Sequence, residues 1–119
     1  MYFFPVPPVF PLIVDSGEKL YCLTGDSESD IDLQETLSGS ESRYLAVDGI
    51  GQLYCYLYEE DIMCPDPLKH MSTKREIVDL YNSRRDSSSE EYNPTSLSNK
   101  RLISIVADIA DLVLAANLK

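Results

Sequence analysis

Apolar residues in the first half of the chain alternate or form short blocks, whereas those in the second half recur every three or four positions. Val9–Val14 reads as a strand, and Pro11 within it favours an edge position because proline has no N–H to give a central ladder. Asp15-Ser-Gly-Glu18 is a turn signal. Lys19–Thr24 then completes a first hairpin, with Leu20 and Cys22 on one face and Tyr21 and Leu23 on the other. Arg43–Val47 reads as a third strand. The Asp48-Gly-Ile-Gly51 that follows predicts a tight hairpin of type I′, whose central residues take positive φ. Gln52–Tyr58 is the return strand and, being apolar on both faces, a central one. Leu53, Cys55 and Leu57 form its core face, and Tyr54, Tyr56 and Tyr58 form a stripe on the other. Cys64-Pro-Asp-Pro67 ends the sheet region.

Helical spacing begins at Thr73, where Thr73 and Glu76 make a T-x-x-E capping box and Ile77, Val78, Leu80 and Tyr81 supply the apolar stripe. From about Ser98 to Leu118, Leu102, Ile105, Val106, Ile109, Leu112 and Val113 mark a second helix, with Ser104, Asp108 and Asp111 opposite. Its broad apolar surface leaves room for a homodimer. Residues 25–42 read as an acidic loop and residues 86–98 as a mobile loop. The expected fold is a single α+β domain over residues 1–119, an antiparallel sheet of about four strands in two hairpins with two C-terminal helices on one face.

A length of 119 residues and 44% hydrophobic composition suffice for a core without a metal or disulfide staple. Three cysteines, Cys22, Cys55 and Cys64, form no C-x-x-C pair, which suits reduced thiols in the cytoplasm. The apolar N-terminus carries prolines at 5, 7, 8 and 11 and no basic lead-in, so it does not read as a signal peptide. No segment reads as a membrane span.

Charge changes the picture most. The net charge is −10, and it is unevenly placed: residues 1–66 hold thirteen acidic and two basic side chains, residues 67–119 seven and eight. A negative field of that kind repels nucleic acid and anionic lipid and speeds encounter with a basic partner.

The chemistry-bearing motifs are few. His70 is the only histidine, and its pairing with Cys55 or Cys64 is the one route to a small Cys/His enzyme. There is no G-x-S-x-G elbow, and Gly49-Ile-Gly51 lacks the rest of a phosphate loop. Asp26-Ser-Glu28-Ser-Asp30-Ile-Asp32 starts like a calcium loop but has Ile31 where glycine is needed and Leu37 where a bidentate glutamate belongs. Neither a metal nor a cofactor is expected. Lys69, Lys74, Arg75, Arg84 and Arg85 read as helix-end charges. A tyrosine strand beside carboxylates instead suits protein binding, with tyrosines as anchors and carboxylates as steering charges. The expected partner-binding residues are Asp26, Glu28, Asp30, Asp32, Glu35, Tyr54, Tyr56, Tyr58, Glu59, Glu60 and Asp61. In size, acidity and lack of a catalytic motif the chain is similar to the immunity proteins of bacterial toxin systems, a likeness of general properties alone. The expected function is therefore an immunity or antitoxin-type protein that covers the active site of a basic toxin, foremost a nuclease. The alternative is a regulatory or adaptor module of phage or mobile-element origin.

Overall fold

The computed structural model describes residues 8–26, 28, 30, 44–57, 62–66, 71–85, 87–93 and 97–117. Among them five strands form one antiparallel sheet: β1 (Leu12–Asp15), β2 (Leu20–Leu23), β3 (Leu45–Val47), β4 (Leu53–Leu57) and β5 (Ile62–Pro65), in the order β2-β1-β3-β4-β5. Two α-helices follow, α1 (Lys74–Arg84) and α2 (Leu102–Asn117), with a short 3₁₀ turn at Leu97–Asn99 between them.

Both expected hairpins are present, with Leu12 opposite Leu23 in one and Val47 opposite Leu53 in the other. They join through β1 and β3, where Ile13 faces Val47. β1 is thus central, not an edge. Pro11 is compatible with this because the strand starts one residue later, so the missing N–H falls outside the ladder. The sheet also extends beyond the expected four strands. Residues 62–65 pair with β4, and Pro65 is tolerated because β5 lies at the sheet edge and ends there.

Alternation along the strands builds two apolar layers. Ile13, Leu20, Cys22 and Val47 point toward the helices and pack with Ile77, Val78, Tyr81, Ile105, Val106, Ile109, Ala110 and Val113. Leu12, Val14, Leu23, Tyr44, Ala46, Tyr54, Tyr56 and Met63 point to the other face, and they too are buried. Burial on both faces explains why these strands read as nearly unbroken apolar runs. A fully buried Leu, Ile or Val contributes about 1.5–3 kcal/mol, so both layers matter to stability.

α1 opens at Thr73 as the capping box requires: Thr73 Oγ1 accepts from the Glu76 N–H, and the Glu76 carboxylate accepts from the Thr73 N–H. α2 packs on β2 and α1. It begins at Leu102, later than its periodicity suggested, because residues 97–99 take the tighter 3₁₀ form and Lys74 Nζ donates to the carbonyls of Leu97 and Ser98 there. The connection between the helices is held at several points. Asn82 exchanges two side-chain hydrogen bonds with the backbone of Tyr92, the Tyr81 hydroxyl donates to the Glu90 carbonyl, and Arg85 Nη1 donates to the Ser89 carbonyl.

The turn after β3 differs from the expected type I′. Gly49 does not take positive φ; Gly51 does, at +92°. The Gly51 N–H donates to the Asp48 carbonyl and the Asp48 N–H to the Gln52 carbonyl, giving a type I turn closed by a left-handed glycine, the common three-residue hairpin loop. A Cβ at Gly51 would lie 2.6 Å from Leu102 Cδ2, so both the backbone and the start of α2 require glycine there.

Candidate functional site

Strand polarity places the segment before β1, the segment after β2 and the β3–β4 turn at one end of the sheet. That end is organised by two buried carboxylates. Asp48, 1% exposed, accepts the N–H groups of Val9, Ile50 and Gln52 at 2.9–3.3 Å, and the Tyr54 hydroxyl at 2.9 Å. Asp30 accepts the Thr24 and Gly25 N–H groups at 3.0 and 2.8 Å, which ties it back to the end of β2. Neutral N–H and O–H dipoles therefore satisfy both carboxylates, a device that fixes backbone without neutralising charge. Glu28 and Asp30 take helical backbone rather than the expected loop: the Asp30 N–H donates to the Asp26 carbonyl and the Glu28 N–H to Asp26 Oδ1, and Asp26 and Glu28 are exposed.

The expected partner-binding residues thus divide. Asp26 and Glu28 are exposed. Asp30 is buried, as a structural acceptor. Tyr54 and Tyr56 are also buried, at 4% and 5% exposure, so they are core residues and not surface anchors. The cause is the second apolar layer: a tyrosine stripe opposite the helices was expected to face solvent, whereas that sheet face is itself packed. The Tyr44 and Tyr56 rings lie 5.6 Å apart within it, and Tyr54 turns its hydroxyl to Asp48, whose hydrogen bond together with burial raises the tyrosine pKa. Asp32, Glu35, Tyr58, Glu59, Glu60 and Asp61 lie outside the described residues, as does His70. Asp48 is more than the turn former its sequence suggests; the signal for this was an aspartate two residues before the N–H of Ile50 and four before that of Gln52, whereas the Val9 N–H reaches it only in the fold.

The opposite end of the sheet is chemically different. There Asp15, also buried, accepts the Gly17 N–H at 2.9 Å and Arg84 Nε at 2.8 Å, so its charge is compensated by a cation. A cleft of about 510 Å³ opens beside this pair, lined by Lys19, Arg84 and Arg85 with Glu18, above Leu20 and Val113. The two ends thus differ in how a buried carboxylate is satisfied, by neutral dipoles at Asp48 and by a guanidinium at Asp15.

Two further features bear on chemistry. Tyr92 and Lys100 both donate to Asp108, at 2.8 and 3.0 Å, which lowers the carboxyl pKa; burial and the same hydrogen bond push Tyr92 up to about 12. All three cysteines are free. Burial, then Asp30 and Asp111, pushes the Cys22 thiol up to about 12, and burial, then Asp66 and Cys64, raises that of Cys55. Raised thiols are poor nucleophiles. Among the described residues no group of three or more His, Cys, Asp or Glu side chains is placed to hold a metal ion. No helix among them is long and apolar enough to cross a membrane. Comparison of the chain with protein-family models, with curated proteins and with solved structures finds no match in any of the three.

Proposed function

We propose that this chain is an immunity or antitoxin-type protein that binds a basic toxin, foremost a nuclease, and neutralises it by covering its active site with an acidic surface. The observation that carries this reading is the placement of charge. Thirteen acidic and two basic residues fall in positions 1–66, and the buried carboxylates Asp30 and Asp48 are satisfied by neutral dipoles, so they add to the field of exposed Asp26 and Glu28. Carboxylates held in this way can stand in for the phosphates that a nuclease site is built to attract.

The test starts from the reading frame that neighbours this gene. Its product, expressed alone, is expected to be toxic and basic. Co-expression of this chain should restore growth, and the purified pair should form a 1:1 complex whose association slows steeply between low and high salt. A neighbouring product that neither binds nor harms cells, or a complex indifferent to salt, would overturn the reading.

A further inference from the structure

Burial of Tyr54 and Tyr56 removes two of the three tyrosine anchors expected from the sequence, and the Asp48 end of the sheet supplies others. Val9, Phe10 and Ile50 are large apolar residues that are 43%, 42% and 40% exposed there. They are neighbours. The Gly49 N–H donates to the Val9 carbonyl at 2.6 Å, the Val9 N–H donates to Asp48, and Ile50 follows Gly49 in the turn. Phe10 lies against Gly25, where a Cβ would stand 3.0 Å from the ring, and its carbonyl lies against Gly49, where a Cβ would stand 2.8 Å away. The Val9–Phe10 strap is thus threaded between two glycines, and the second of these precedes Asp26.

Single exposed hydrophobics need no explanation, but here three are carried on one hydrogen-bonded strap and turn, with the Phe10 ring against Gly25, the residue before exposed Asp26. The backbone beneath them is also fixed. Asp48 holds Val9 and Ile50, Tyr54 holds Asp48 from within the core, and Asp30 holds Thr24 and Gly25. A surface already ordered before binding loses little entropy on docking, so its apolar area contributes more to affinity. An apolar centre beside charges is also the usual anatomy of a binding patch.

We propose that this end of the sheet is the docking surface for a basic protein, with Val9, Phe10 and Ile50 as its anchors and Asp26 and Glu28 as its steering charges. This rests on the reading of a basic protein partner and gives that reading its place on the molecule. Charge decides the occupant. Nucleic acid would bring phosphates against Asp26 and Glu28, and a second copy docked symmetrically would bring the same carboxylates face to face. A basic protein alone gains from both halves of the patch. Tyr54 becomes a positioning residue, acting on the surface through Asp48.

A photoreactive benzoyl-phenylalanine placed at Phe10, at Ile50 and, as control, at Ala115 tests the assignment in the full chain in its own cells. Ala115 is exposed near the end of α2, at the other end of the sheet. Adducts at Phe10 and Ile50 with one basic protein, and none at Ala115, are expected. That protein, purified, should bind Ile50→Arg at least tenfold more weakly than the parent chain, and should associate at least threefold more slowly with Asp26→Lys/Glu28→Lys at low salt, both variants melting as the parent does. A basic protein captured equally or only at Ala115, or bound with unchanged affinity by Ile50→Arg, would overturn the surface while leaving the basic-partner reading intact. Adducts of doubled chain mass, or with a non-basic protein, would overturn both. Absence of any adduct at Phe10 and Ile50 would overturn the surface.

Discussion

At one end of the sheet Asp15 closes the β1–β2 turn, and at the other Asp48 closes the β3–β4 turn. Both carboxylates are buried, both accept a glycine-turn or neighbouring backbone N–H, and both turns need a glycine at φ +92°. They differ in what balances the charge. Asp15 meets the Arg84 guanidinium from α1, 69 positions away, whereas Asp48 meets only backbone N–H groups and the Tyr54 hydroxyl. The first turn is clamped to a helix and electrostatically quiet. The second is self-contained and leaves its negative charge uncompensated. The same residue type, at two different hairpin turns, thus builds an ion pair at one end and a carboxylate held by neutral dipoles at the other.

The largest effect that would test this contrast is loss of Asp48. Asp48→Ala strips a shared acceptor from four donors, one of them the buried Tyr54 hydroxyl, and is expected to cost about 2–3 kcal/mol in urea denaturation. A cost below about 1 kcal/mol would mean that the turn does not depend on its carboxylate.

The glycines sharpen the difference. Gly51→Ala adds a clash with Leu102 to the strain of positive φ, and should cost about 2–3 kcal/mol; Gly17→Ala meets open space, leaving only the strain of about 1 kcal/mol. Equal losses would show that the β3–β4 turn is not packed against α2. For the clamp, a double-mutant cycle between Asp15→Asn and Arg84→Met should give a coupling of about 1 kcal/mol that shrinks in high salt, since Arg84 stays partly exposed. No corresponding salt dependence is expected for Asp48→Ala.

Titration offers the smallest effects, and both signs follow from the Tyr92–Asp108 contact. Tyr92 is raised to about 12 in the fold, above the usual value of about 10 for an unfolded tyrosine. Its contribution is complete below the unfolded pKa and is lost as pH rises through the folded one. Asp108 is lowered, so its contribution is present above the unfolded pKa of about 3.9 and is lost as pH falls through the folded value. Tyr92→Phe should remove the alkaline dependence, weaken the acidic one that Lys100 also maintains, and cost about 0.5–1 kcal/mol, read from stability against pH and from tyrosinate absorbance in alkali. Alkylation of Cys22 at neutral pH should proceed only as fast as unfolding, its thiol standing at about 12. Fast labelling of the native protein would reopen the thiol chemistry that burial argues against.

Local pattern determined much of this architecture. The two hairpins, the capping box at Thr73 and Glu76, and the stripe Ile105, Val106, Ile109 and Val113 are set by residues near one another in the chain, and each stands where its spacing put it. The fifth strand was masked by Pro65, because a proline ends a strand in a central position but not at an edge, and edge or centre is a property of the whole sheet. Among the candidate site residues, exposure was legible for Asp26 and Glu28, which sit in a polar stretch. It was not legible for Asp30, Tyr54 or Tyr56. An aspartate that faces solvent and one that gathers backbone N–H groups are the same letter, and a tyrosine stripe reads alike whether its sheet face is wet or packed.

The sequence alone thus determined the element types, the α+β class and the surplus of carboxylates in residues 1–66, since each depends on composition and short-range spacing. The pairing of β1 with β3, the burial of both sheet faces and the meeting of Val9, Phe10 and Ile50 with Asp26 and Glu28 were decided only in three dimensions. They depend on contacts between residues far apart in the chain, Val9 with Asp48 and β2 with α2 among them, and periodicity within a strand carries no information about which strand will lie beside it.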